Sequence, residues 1–166
     1  FFILRAQGLF SGAEAVAAPL LLYALFNLVY ALMAMPVGIW SDRVGRKKVL
    51  ALGYALFAIT ALGFALVTSL AGLIALFAIY GLVYALVDGS ERAFVSDLSP
   101  AGLRGSSLGI YYGAIGVSAI VSSLVAGALW SWWGAEATFL FGAGAAALAA
   151  VGLVWGMKKT GFHAIH

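Results

Sequence analysis

The chain has no cysteine, only two histidines, three prolines and fifteen charged side chains, nine basic and six acidic, in 166 residues. Without cysteine there is no disulfide framework, no thiolate metal site and no cysteine nucleophile. His163 and His166 both fall in the last four residues. Chain ends are seldom held in place, so a solvated tail accounts for them better than a buried metal site. No cofactor and no metal are expected. Enzyme chemistry is not expected either, since the apolar segments carry no Cys, no His and no second Asp to face Asp88 as a catalytic dyad. Charged residues make up 9% of the chain, against about 25% in a soluble domain. So little polar surface cannot keep a fold of this size in water.

What the chain has in excess is apolar length. Hydrophobic residues are 64% of it and the mean hydropathy is +1.09. The expected fold class is all-α, a polytopic membrane helical bundle whose first partner is the lipid bilayer. Five stretches have spanning length, at about residues 16–40, 49–68, 71–95, 107–130 and 137–157, because a helix needs about twenty apolar residues to cross a ~30 Å hydrocarbon core. Phe1 to Leu4 are too few to cross and lack the features of a signal peptide. They read as a helix stub whose earlier part is absent, so the chain is expected to be a piece of a longer protein. The connections are short, no linker marks a second domain, and no internal repeat is visible.

Alternation of the spans puts the 41–48 turn, the 96–106 loop and the C-terminal tail on one side. That side holds Arg43, Arg46, Lys47, Lys48, Arg104, Lys158 and Lys159, and the other holds Arg5 alone. Cytoplasmic loops carry the excess of Lys and Arg, so the turn, the loop and the C-terminus are expected in the cytoplasm and the chain in the plasma or inner membrane. The net charge of +3 therefore describes loops on one face and implies no nucleic-acid partner. Trp130, Trp132 and Trp133 then fall at the outer interface, where amphipathic rings are favoured. In the fourth span Gly109, Gly113 and Gly116, with Gly127 further along, form a face that would let two helix backbones approach closely. The fifth span, mostly Ala and Gly, reads as a packing helix at the edge of the bundle.

Five of the fifteen charges lie between Gly38 and Lys48, in GIWSDRVGRKK. Pro36 can bend the preceding turns, Ser41 and Asp42 can accept from free N–H groups at the next helix start, and Gly45 permits a positive φ in a tight reversal. Arg46, Lys47 and Lys48 suit an anionic lipid surface. The order Gly, three residues, Asp-Arg, one residue, Gly-Arg and two basic residues is matched at Gly38, Asp42, Arg43, Gly45, Arg46, Lys47 and Lys48. It closely resembles the loop signature of the major facilitator superfamily, and the resemblance covers essentially the whole chain. It implies a secondary active transporter of small solutes working by alternating access, in which the Asp and Arg residues form a charge network that breaks and re-forms.

In that family the signature stands between helices two and three and again between eight and nine. Leu73 to Leu82 offers no embedded Arg of the kind the N-terminal half carries in helix four. The helix-five antiporter pattern is not met from Gly113 onward, and the chain ends in a basic tail. By resemblance the five spans are helices eight to twelve, Phe1 to Leu4 the end of helix seven, and residues 1–166 the C-terminal half of a twelve-helix fold whose N-terminal six-helix half is missing. The alternative is a small oligomerising scaffold or channel-like protein.

Charges inside the membrane are expensive and usually face a cavity or a partner. Tyr80, Tyr84, Asp88 and Arg92 follow at four-residue steps along one side of the third span, where Asp88 and Arg92 can pair. Tyr23, Asn27 and Tyr30 share a face of the first span, with Asn27 suited to an interhelical hydrogen bond or to cavity lining. These six residues other than Arg92 are the candidates for contact with a small-molecule substrate or for proton coupling. Glu91, Arg92 and Asp97 lie nearer the basic turn and join the motif residues and Arg104 as a candidate cytoplasmic gate. Serines of the fourth span are expected to bond back to their own helix. In the 96–106 loop, Ser99 and Pro100 can start a helical turn, the family often shows an acidic residue, a Pro and an Arg-Gly pair, matched at Asp97, Pro100, Arg104 and Gly105, and Asp97 can pair with Arg104 or with Arg46.

The coding sequence upstream of Phe1 tests the reading directly. Six or seven further spans in frame are the expected outcome, and a start codon immediately before Phe1 would count against it.

Overall fold

The computed structural model of the chain describes residues 1–7, 14–100 and 102–159, and for residues 6, 7, 14, 15 and 157–159 it describes the backbone alone. Every regular element among the described residues is a helix. A short α1 spans Phe2–Gln7, followed by α2 at Glu14–Val44, α3 at Arg46–Leu66 and α4 at Leu70–Leu98. The run Arg104–Lys159 is broken at Gly134, whose φ of 85° and ψ of −176° are not helical. Straight, such a run would be roughly 84 Å long. It is not straight. The Thr138 hydroxyl donates to the Ala126 carbonyl at 3.2 Å, although twelve residues along one helix would separate them by about 18 Å. The chain reverses at Gly134 into α5 (104–133) and α6 (135–159), so the five expected spans are present. The N-terminal stub is the helix α1, and the histidine tail lies outside the described residues.

The charged turn is tighter than the sequence implies. α2 runs on through Ser41, Asp42 and Arg43 to Val44, and α3 starts at Arg46. Gly45 alone separates them, with φ 105° and ψ 124°, a conformation that costs an L side chain and leaves glycine unstrained. Its N–H donates to the Ser41 carbonyl, and its own carbonyl accepts from Lys48 and Val49. No side chain caps α3 at this end, so Ser41 and Asp42 do not play the capping role their positions suggested. Pro36 sits within α2 without ending it. The 96–106 loop likewise shrinks to residues 99–103. Ser99 closes α4 by donating to the Val95 carbonyl at 2.6 Å; it does not begin a new helix. At the opposite end Ser69 is a regular N-cap of α4, accepting from Gly72 N–H.

α3 packs against the α5–α6 hairpin and against α4, while α2 packs against α4. Two clusters form the interior. One, away from the basic turn, gathers Leu22, Phe26, Phe64, Leu73, Phe77 and Phe139, with Phe2 of α1 and Trp130 packed on it. The other, nearer Gly45, is Val37, Val49, Ala85 and Leu86. Trp132 and Trp133 are exposed beside the Gly134 reversal, whereas Trp130 turns inward to Phe1 and Phe139. The outward faces carry Met35, Leu66, Leu124 and Leu148, side chains that acyl chains solvate as readily as protein does.

The glycines that bring helices together are not those of α5. A Cβ on Gly81 would stand 2.6 Å from the Phe26 carbonyl oxygen and 2.9 Å from Val29, at the α2–α4 crossing, and one on Gly53 would stand 2.7 Å from Val87, at the α3–α4 crossing. Gly109, Gly113, Gly116 and Gly127 meet nothing within 4 Å, so the close approach expected of that face is not made within this chain. Arg5, counted in the sequence only as the lone basic residue on its side, ties α1 to the end of α3. Its guanidinium donates to the carbonyls of Phe64, Ala65 and Val67 at 3.1–3.3 Å, the free acceptors that a helix C-terminus leaves.

Gly81→Ala in the full-length protein should force α2 away from α4, because the obstructing atom is backbone. A loss of about 1–3 kcal/mol is expected in detergent unfolding, with Gly113→Ala near neutral as the comparison. Equal stability of the two variants would contradict the close α2–α4 crossing.

Candidate functional site

α4 is apolar except along one side and one end, and Asp88, Ser90, Glu91 and Asp97 there meet residues of other helices. The stripe of Tyr80, Tyr84, Asp88 and Arg92 faces α2. Tyr30 of α2 donates its hydroxyl to Asp88 at 2.6 Å. Arg92, one turn on, donates to the same carboxylate oxygen and to the Asp88 backbone carbonyl. Asp88 therefore carries a phenol from one helix and a guanidinium from its own, which satisfies a charge that could not stand alone at this depth.

Above Asp88 the wall is aromatic. Phe26 lies at the centre of it, its ring 5.0 Å from Tyr80, 5.2 Å from Tyr84 and 5.7 Å from Tyr23, and Tyr30 and Tyr84 meet edge to face at 6.0 Å. These rings and Asn27, with Phe2 of α1, line a cavity of about 330 Å³. Five of the residues singled out from sequence for substrate contact, Tyr23, Asn27, Tyr30, Tyr80 and Tyr84, line it together; Asp88 closes it through Tyr30. Among the described residues Asn27 makes no interhelical bond. Its amide donates to the Tyr23 carbonyl of its own helix at 2.7 Å, which leaves its oxygen for the cavity. Phe26 was missed because the search followed polar residues. Its spacing, three after Tyr23 and four before Tyr30, puts it on the same face.

Glu91 and Arg92 do not join the basic turn. Among the described residues neither makes an ion pair with Arg43, Arg46 or Arg104: Arg92 is taken by Asp88, and Glu91 points elsewhere. One Glu91 oxygen accepts the hydroxyl of Tyr54 on α3 and the other that of Tyr111 on α5. Sequence reading did not assign either tyrosine. The available signal was a lone phenol in an otherwise apolar span, whose hydroxyl needs a partner when buried. A further link that the sequence did not single out joins α2 to α4, where the buried hydroxyls of Ser41 and Ser90 lie 3.1 Å apart.

At the basic end Arg46 bridges three helices. Its guanidinium holds Asp42, the last acidic residue of α2, at 3.0 Å and Asp97, near the end of α4, at 2.8 Å. Asp97 thus meets Arg46 and not Arg104. Arg43 and Arg104 make no ion pair among the described residues. Gly38 has open space where a side chain would stand. Lys47 reaches past α3 to the last turns of α6, where its ammonium lies 3.6 Å from the position a Gly156 Cβ would take, beside the negative end of that helix. In the hairpin, Ser122 bonds back to the Ala119 carbonyl, as expected of a serine in a span.

Comparison with known proteins agrees with this architecture. The sequence model of the family described as Major Facilitator Superfamily matches residues 9–161. An uncharacterized MFS-type transporter of Methanocaldococcus jannaschii is 45% identical over 145 residues, covering 86% of this chain and 36% of the relative. The tetracenomycin C resistance and export protein of Streptomyces glaucescens is 31% identical over 131 residues, covering 78% of this chain and 24% of the relative. The chain spans between a quarter and somewhat over a third of the length of these relatives.

The Arg46 bridge should matter little to stability. Its partners Asp42 and Asp97 are 62% and 58% exposed, and exposed pairs contribute about 0–1 kcal/mol. Arg46→Ala in the full-length protein is expected to leave the unfolding midpoint in detergent nearly unchanged. A loss well above that range would mean that the bridge is structural.

Proposed function

The chain belongs to the major facilitator superfamily, and from that premise we propose that it is the C-terminal half of a secondary transporter that moves small solutes across the plasma or inner membrane by alternating access. The observation that carries this is the Tyr30–Asp88–Arg92 unit beneath an aromatic cavity between α1, α2 and α4. An ionisable group at membrane depth that faces a cavity is a functional-site candidate by default, and transporters of this general kind bind substrate near the midplane. Tyr23, Asn27, Tyr30, Tyr80 and Tyr84 contact the substrate, and Asp88 takes part in substrate or proton movement. The six-helix half that precedes this chain supplies the facing wall.

The basic end lies in the cytoplasm on this reading, as its excess of Lys and Arg requires. Arg46, with Asp42 and Asp97, acts as one side of a gate. The small contribution to stability expected of an exposed bridge suits that role, because a bridge that must open and re-form cannot be deep. The order of the signature from Gly38 to Lys48 supports the same assignment, with Arg43, Gly45, Lys47 and Lys48 shaping the turn and Arg104 facing the same surface. The oligomerising-scaffold alternative would use the glycine face of α5, which meets nothing within 4 Å among the described residues; the transporter reading is preferred on the signature from Gly38 to Lys48.

One relative is named for export of tetracenomycin C, which makes that compound the first probe for transport. In proteoliposomes of the full-length protein, Asp88→Asn at wild-type expression is expected to abolish most of the flux. Wild-type rates in that variant would sink the role given to Asp88.

A further inference from the structure

A second, larger cavity lies on the other side of Tyr84. It measures about 680 Å³ and is walled by α3, α4 and the α5–α6 hairpin. Its lining is apolar and of two kinds. Tyr54, Phe57, Tyr84 and Phe139 present rings, while α6 contributes small side chains at Gly142, Ala145, Ala146 and Ala149 that leave the volume open. The polar groups are the hydroxyls of Ser122, Ser123 and Thr138 and two carboxylates, Asp88 and Glu91. No Lys or Arg is among the described residues that line it.

The two carboxylates are not equivalent. Asp88 is neutralised by Arg92. Glu91 makes no ion pair among the described residues; the groups that face it are the Tyr54 phenol from α3 and the Tyr111 phenol from α5. Two phenols satisfy its oxygens and orient the group but bring no positive charge. An ionised carboxylate in an apolar chamber is costly unless an opposite charge comes to it, and ring faces attract cations and repel anions. A chamber with aromatic walls, room for an apolar body and one uncompensated negative charge selects one class of ligand.

We propose that this cavity binds an amphiphilic organic cation, with Glu91 as its counter-charge and Tyr54 and Tyr111 as the residues that position that carboxylate. The chamber is distinct from the cavity lined by Tyr23, Asn27 and Tyr30, although Phe2 and Tyr84 are walls of both and Asp88 lines this one. The proposal concerns binding and does not depend on transport, so it stands or falls apart from the transporter reading.

The test uses the full-length protein in lipid nanodiscs and two probes of similar shape: tetraphenylphosphonium, which is cationic, and triphenylphosphine oxide, which is neutral. Wild-type protein is expected to bind the cation at least about tenfold more tightly, the effect of a bond to one charged group. Glu91→Gln should remove that preference, while Trp132→Phe, at an exposed residue outside the chamber, should retain it. If Glu91→Gln does not fold, Gly142→Leu serves in its place. A side chain at Gly142 meets nothing within 4 Å at its Cβ, and filling the chamber there should weaken cation binding by about tenfold or more. Equal binding of the two probes by wild-type protein overturns the proposal. So does an undiminished preference in Glu91→Gln.

Discussion

Asp88 and Glu91 sit three residues apart on a helix that is otherwise built for lipid, and lipid offers neither of them a hydrogen bond. Each must be satisfied by protein, or the span is too costly to insert. The chain meets that requirement from three directions. Tyr30 on α2 and Arg92 on α4 itself serve Asp88; Tyr54 on α3 and Tyr111 on α5 serve Glu91. Three helices, α2, α3 and α5, are thereby tied to α4 by these groups. Dispersion contacts alone would let such helices slide, since acyl chains compete for every apolar face. The carboxylates and the close crossings at Gly53 and Gly81 determine where α2 and α3 stop.

The same helix links the interior to the basic end. α4 carries the aromatic stripe and Asp88 in its middle, Glu91 and Ser90 beyond, and Asp97 at its last turn. Gly45 is what lets this end be compact. With one non-helical residue between α2 and α3, the charged side chains of both helices emerge within reach of one another and of Asp97. A longer loop would place the same charges in the same order without bringing Arg46 between two acids. The Arg46 bridge and the Asp88–Arg92 pair are both part-exposed, with Asp97 58% and Asp88 36% exposed. They differ in their neighbours, because Asp88 and Glu91 also accept phenol hydroxyls from other helices.

A good part of this was legible from residues alone. Spanning length and the Lys/Arg asymmetry gave the five helices and their alternation, and four-residue spacing put Tyr80, Tyr84, Asp88 and Arg92 on one side of α4, as found. The motif from Gly38 to Lys48 pointed to the family that the comparisons show. What escaped was everything that depended on a partner in another helix. Glu91 looked like part of the basic end because it is near in sequence, yet its neighbours in space are Tyr54, thirty-seven residues before it, and Tyr111, twenty after it. Asn27 suited an interhelical bond or cavity lining; it lines a cavity and bonds to its own backbone. The glycine face of α5 looked like a packing seam, while the glycines that close contacts here are single ones in α3 and α4.

The sequence by itself determined that the chain is a multi-pass membrane protein of long apolar helices and which family it belongs to. Those properties follow from composition, length and local order, which any neighbours would leave unchanged. Only the tertiary structure decided which phenol meets which carboxylate, that Arg92 is taken by Asp88 while Glu91 meets no cation among the described residues, and that two cavities lie on either side of Tyr84. In an apolar medium a helix presents many faces of nearly equal energy. Its rotation is chosen by a few buried polar groups whose partners lie on helices far away in the chain, and spacing along one helix carries no information about those partners.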